Sequence, residues 1–335
     1  MNLFIRFSIS LVIGIIFFYF TIKGINLSEL KLNITYNSVI ILIIFILNFL
    51  GITFLRSLRT YSVIRNIESI KLHEMFYFTS VGYSFIVMLP FRMGELIIPL
   101  LVKKNFGISV SATLIIVMIE RFLDLFIVLI AMFYLITYIS APKWLIQSNY
   151  FILIIFFLVS LFLLFSYRYS NLIWRVLYPL IRNLSSTNHE KVIRILKGFK
   201  IGFRLIKTPK NFLTVLFLSV IILFLSVFSI QLVLSLSEIN SNFTMALTIL
   251  VINLIGISIP AGPAMIGNYQ YSCILALSLF EIDKNQSFIF GNLYYIMGIG
   301  MTIILGAIFY PFSQITVEDI KKSILLKKQQ NMELD

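Results

Sequence analysis

Nine apolar runs recur along this chain, at about 7–22, 38–55, 75–91, 109–138, 150–167, 211–237, 243–259, 264–280 and 287–311. About 20 apolar residues in helix cross the roughly 30 Å hydrocarbon core of a bilayer. Backbone polar groups at that depth must be satisfied internally, which leaves helices as the default spanning element. Composition agrees: 59% of the 335 residues are hydrophobic and only 12% are charged. A soluble chain has about 25% charged residues and could not cover so much apolar surface. These features exclude a soluble enzyme, a disordered chain and a fibrous one. The fold class expected is all-α, a polytopic membrane helix bundle.

Cysteine and histidine counts remove further classes. One cysteine, Cys273, cannot form an internal disulfide or a cysteine-based zinc cluster. His73 and His189 lie far apart in polar segments, so no metal site is expected. Neither a cofactor nor a nucleic-acid partner is expected. The net charge of +13 has a simpler source in basic loops on one side of a membrane. Arg6 followed by the run 7–22 has the look of a secretory signal, but no small-residue cleavage site follows it. The run is read as a retained first span.

Charge asymmetry sets the orientation. Segments 56–73 and 168–210, Arg6, Lys103, Lys104 and the C-terminal tail hold 21 basic residues. Segments 23–37, 139–149, 238–242 and 281–286 hold four. The positive-inside rule places the first set, with both termini, in the cytoplasm. Segment 74–102 then lies between two cytoplasmic loops, so it must enter the membrane and return, breaking at Pro90. Segment 238–286 does the same from the other face, breaking at Pro260, Gly262 and Pro263. Proline removes a backbone donor and interrupts a helix. The expectation is about six full spans plus two broken, re-entrant hairpins of opposite entry direction, consistent with an inverted repeat. A plain array of eight or more kinked spans is the alternative. Residues 1–315 form one membrane domain and 316–335 a cytoplasmic tail. Within loop 168–210, Thr187 to Glu190 fits a capping box before a basic amphipathic helix, which either lies on an anionic lipid surface or only follows the positive-inside rule.

Five charges fall inside the apolar runs: Arg92, Glu95, Glu120, Arg121 and Asp124. Each costs roughly 2.5–3.5 kcal/mol at the membrane centre on insertion scales, so partners or a wet cavity are required. Glu120, Arg121 and Asp124 are spaced to converge on one helix. Their sum is −1, so Arg92 either pairs with the excess acid or stands free for an anionic group. A buried structural ion network and a lipid head-group site are both compatible with this pattern.

These residues also carry a resemblance. The stretch Leu89-Pro90-Phe91-Arg92-Met93-Gly94-Glu95-Leu96, then Lys103-Lys104-Asn105-Phe106-Gly107-Ile108-Ser109 and Ile119-Glu120-Arg121-Phe122-Leu123-Asp124, resembles the flippase-like family. That family is built on the membrane region of lysylphosphatidylglycerol synthase/flippase. A second, later signature resembles Ile259 through Gln270, with its break at Pro260, Gly262, Pro263 and Gly267. Many members carry Gly-Gly and a nearby glutamate there, where this chain has Ala264, Met265 and Gln270. The resemblance implies translocation of a phospholipid or lipid-linked glycan in a bacterial inner membrane. It implies a substrate site at Arg92, Glu95, Glu120, Arg121, Asp124, Tyr269 and Gln270, with helix breaks at Pro90, Gly94, Pro260, Gly262, Pro263 and Gly267. Arg92 and Arg121 would engage phosphate, with the carboxylates orienting them or accepting an amine. Of the two, Arg92 is expected to face the ligand and Arg121 to hold the fold. The chain ends about 24 residues after its last span, too few for the soluble aminoacyl-transfer domain of the best understood members. No catalytic residue is therefore expected, and membrane lipids are the expected partners. An accessory subunit of an envelope pathway, an intramembrane enzyme acting on a lipid-linked phosphate, and a homo-oligomer remain open.

Overall fold

The computed structural model describes residues 12, 15–23, 25, 36–89, 94–138, 142–168, 209–259, 263–314 and 316. Among these, the regular structure is entirely helical. Helical residues at 15–22 come first. Then follow α1 (Tyr36–Ile64), α2 (Leu72–Met88), α3 (Ile97–Phe106), α4 (Val110–Tyr138) and α5 (Lys143–Arg168). The second half holds α6 (Pro209–Leu236), α7 (Phe243–Ser258), α8 (Asn268–Ser278) and α9 (Lys284–Phe309). Helices over Tyr36–Ile64, Lys210–Leu236 and Lys284–Ser313 are long and apolar enough to cross a membrane. Shorter apolar helices accompany them. The chain is a helical, multi-pass membrane protein.

Both interruptions fall where proline predicts them. Helix α2 stops at Met88, and α3 begins only at Ile97 after a tight turn over 94–96. Gly82 lies against Ile98 and Phe78 against Phe106, so α3 runs back antiparallel along α2. Gly94 makes the closest approach: a Cβ there would sit 2.2 Å from the backbone of Phe85 and Ile86. Helix α7 likewise stops at Ser258, and α8 starts at Asn268 after a short turn, Pro263–Met265. Asn253 donates to the Tyr269 carbonyl at 3.2 Å and Asn268 donates to the Gly256 carbonyl at 3.0 Å, folding α8 back along α7.

The order long helix, broken hairpin, long helix therefore occurs twice, as α1–α4 and as α6–α9. Packing follows the same symmetry. Helix α2 packs on α9 while α7 packs on α4, and α1 packs on α2 as α6 packs on α7. Asn48 donates to Ser229 at 2.7 Å, and Arg59 donates to Ser219 at 2.7 Å. Partner numbers fall as α1 advances, so α1 and α6 are antiparallel and the two repeats point in opposite directions. Stretch 15–22 lies against α8 and α9, with Phe17 on Tyr271 and Lys284 donating to the Phe20 carbonyl, as α5 lies against α4. The turn Pro263–Met265 rests on α2, and Val87 joins the apolar core of the second repeat. The second break thus lies beside the helix that leads into the first.

One boundary departs from the sequence reading. Residues 56–73 read as a polar loop, yet α1 continues to Ile64 and carries Arg56 and Arg59 inside the bundle. Pro90, Arg92, Pro260, Gly262 and the basic segment 169–208, with Thr187 and His189, lie outside the described residues.

Candidate functional site

Arg59 is the centre of the buried charge. Its side chain is 2% exposed and its guanidinium faces two carboxylates of α4. Nη1 donates to Asp124 Oδ1 at 2.6 Å and to Ser219 Oγ at 2.7 Å. Nη2 donates to Asp124 Oδ2 at 3.3 Å and to Glu120 Oε2 at 3.4 Å. The Asp124 pair is therefore bidentate, the geometry that a planar guanidinium matches best. Thr60 donates to Glu120 Oε1 at 2.9 Å, so both oxygens of that buried carboxylate have partners. Charge this deep persists only when paired and hydrogen-bonded, and this network meets the condition.

Beside it sits a second layer. Arg121 lies 3.5 Å from Asp124 and donates to the Tyr83 hydroxyl at 3.1 Å. Arg56 lies over the Tyr83 ring at 4.6 Å, and Arg121 lies over the same ring at 5.6 Å. A cation above an aromatic face is attracted by the ring quadrupole. Tyr83 belongs to α2, so the layer reaches from the α1–α4 contact to the helix that leads into the first break. Glu95 lies in the turn on the far side of that break. Among the described residues the buried Nε atoms of Arg59 and Arg121 have no hydrogen-bond partner.

Depth follows from helix geometry. Glu120 is ten residues into α4 and Ser219 ten residues into α6, each about 15 Å from the helix start. Both starts lie at the end of the bundle that carries Arg65, Lys71, Lys103, Lys104 and Lys210. The cluster is thus well inside the apolar region.

Glu120, Arg121 and Asp124 lie on one helix as their spacing suggests, with Glu120 and Asp124 meeting at Arg59 and Arg121 beside Asp124; Glu95 lies in the turn before α3. Arg59, Arg56, Thr60, Tyr83 and Ser219 were missed. The excess negative charge of α4, which sequence reading offered to Arg92, is met by Arg59. A usable signal was present: that sum of −1 required another cation, and helical spacing continues past Phe54 through Arg59 without proline or glycine.

At the second break the expected residues make contacts of their own. Tyr269 is 6% exposed and packs on the rings of Tyr294 and Tyr295. Gln270 Oε1 accepts the Gly267 amide at 2.9 Å, capping the start of α8. Either a glutamine or a glutamate could accept that bond, so the cap requires no acid. Ala264 and Met265 both have φ of 58°, the left-handed region that glycine enters freely. Tyr295 holds this turn by donating to the Ala264 carbonyl at 2.9 Å.

Against this geometry, the family model described as the lysylphosphatidylglycerol synthase TM region matches residues 7–306. The chain belongs to that family. Its two broken hairpins and the α4 charges all lie within the matched residues. Neither a curated protein nor a solved structure matches the chain.

Proposed function

We propose that this chain is a lipid translocase, moving a phospholipid or lipid-linked glycan between the leaflets of a bacterial inner membrane. In this reading it is not an enzyme. Stretch 7–22 and helices α1, α4, α5, α6 and α9 are the six full spans, and the two broken hairpins enter from opposite faces. The 21 basic residues on one side put that side, with both termini, in the cytoplasm.

One observation carries the reading. Among the described residues Arg56, Arg59 and Arg121 match the charge of Glu95, Glu120 and Asp124; the sequence adds Arg92, outside the described residues, and in this reading it is the surplus cation. A surplus cation in apolar surroundings is costly, and an anionic head group relieves it. Interrupted helices supply a polar backbone path at membrane depth while the acyl or isoprenoid tail stays in lipid. Arg59 is held by Glu120, Asp124 and Ser219, so in this reading the head group falls to Arg92, two residues after Pro90 in the sequence. Lipids that copurify with gently extracted protein, identified by mass spectrometry, test this. Wild type is expected to carry an anionic lipid that Arg92→Ala loses while keeping its yield. Arg121→Ala is expected to lower thermal stability instead. An Arg92→Ala protein that folds and retains the same lipid would overturn the assignment.

A further inference from the structure

At the basic end of the α1–α6 seam lies a groove of about 460 Å³, on a face of α1 turned by about 110° from Arg59. Its lining runs along one face of α1 with Leu58, Tyr61, Ser62 and Arg65. Lys210, Leu213, Thr214, Phe217 and Leu218 of α6 complete it. The floor is apolar, and Leu213 and Phe217 are 61% and 65% exposed, so the groove opens sideways from the bundle. Its mouth carries two cations and no carboxylate. Among the described residues neither Arg65 nor Lys210 has an ion-pair partner; Arg65 lies only over the Tyr61 ring, at 5.6 Å.

Donor supply narrows the occupant. The hydroxyls of Ser62 and Thr214 already donate to the Arg59 and Lys210 carbonyls, so they can only accept. The free donors are the Arg65 guanidinium, the Lys210 ammonium and the Tyr61 hydroxyl. They suit a phosphodiester, which only accepts. A head-group amine would find no carboxylate here, which disfavours a zwitterionic lipid. The groove also lies where a membrane-embedded helix pair meets the interfacial region, with charge at its mouth and a greasy floor below. We propose that this groove holds one anionic glycerophospholipid of the phosphatidylglycerol type. The phosphate sits between Arg65 and Lys210 and an acyl chain lies on Leu213 and Phe217. This site is separate from the buried charge cluster and does not depend on the chain being a translocase. Its occupant braces the seam that brings Ser219 to Arg59.

Full-length protein in neutral detergent, titrated with phosphatidylglycerol or phosphatidylcholine and followed by native mass spectrometry and thermal unfolding, tests the site. Phosphatidylglycerol is expected to bind saturably and raise Tm, and phosphatidylcholine to do neither. With about 1 kcal/mol per interfacial cation, Arg65→Ala with Lys210→Ala should weaken binding about 30-fold. A control pair elsewhere on the basic end, Lys71→Ala with Lys103→Ala, should leave it within about 2-fold of wild type. Equal losses from both pairs would mean general attraction to a basic surface and would overturn the proposal. So would equal binding of the two lipids. If the double variant does not fold, Phe217→Trp supplies a second reading. Tail-brominated phosphatidylglycerol should quench its added fluorescence with the same midpoint, and tail-brominated phosphatidylcholine should not. No lipid quenching, with a groove closed by another segment of the chain or by a second copy in cross-linking, would overturn it as well.

Discussion

Arg59 is bonded at once to Glu120, Asp124 and Ser219, so truncating it leaves the buried Glu120 carboxylate without its cation and Asp124 with Arg121 alone. Breaking such a pair from one side costs about 3–5 kcal/mol, a large share of a protein's stability. Arg59→Ala is therefore expected to show a much lower Tm than Arg121→Ala, whose side chain is 35% exposed. Neutralising the whole group should recover most of the loss: Arg59→Met with Glu120→Gln and Asp124→Asn should unfold near wild type. A triple variant as unstable as Arg59→Ala alone would show that the pairing is not what holds these helices. The α4 half of this network was legible because its charges interrupt an apolar run at helical spacing. The α1 half was not. Four basic residues between 56 and 73 resemble a cytoplasmic loop, and the unbalanced charge on α4 was the main hint that Arg59 is inside.

At the scale of elements, the two breaks were legible from proline, since its missing donor ends a helix wherever it falls. What packs the broken helices was less visible. Helix α2 meets α9 where Gly306 faces Ser84, and a Cβ on Gly306 would sit 2.2 Å from the Ser84 side chain. Gly306→Ala is expected to destabilise the protein by about 1–3 kcal/mol through overpacking. Adding Ser84→Gly should return part of that loss in thermal unfolding; an additive, further decrease would contradict the contact. The second break holds Ala264 and Met265 in the left-handed region. Relieving that geometry favours glycine by about 1–2 kcal/mol per residue, partly offset by the greater freedom of glycine when unfolded. Ala264→Gly and Met265→Gly are each expected to raise Tm slightly, and a clear decrease from both would contradict the turn. The sequence signal was the glycine pair that related chains resembling this one carry here.

Over the whole molecule, a recurring order of long helix, broken hairpin and long helix links the two halves. The helical class and the places of the two breaks were legible from run lengths, composition and proline. The antiparallel seam of α1 and α6 was not, because helix partners leave no local trace in apolar sequence. Orientation is open to direct labelling. In a Cys273→Ser background, Ser69→Cys is expected to resist an impermeant thiol reagent in intact cells and to react in inverted vesicles. Lys143→Cys should do the reverse. The opposite pattern would invert the topology. Cys273 itself is fully buried beside Asn253 and is expected to stay unlabelled in the folded wild type.

Lipid movement itself is the most direct test. Purified protein reconstituted into vesicles with a head-group-labelled anionic lipid can be assayed by chemical quenching from outside. In protein-free vesicles about half the label is quenched. With the wild-type chain present, the account predicts that the protected half becomes accessible within minutes, and that Arg92→Ala vesicles behave like protein-free ones. Vesicles of folded wild-type protein that keep the inner half protected, across phospholipid and lipid-linked glycan substrates, would contradict the claim that this chain moves lipids.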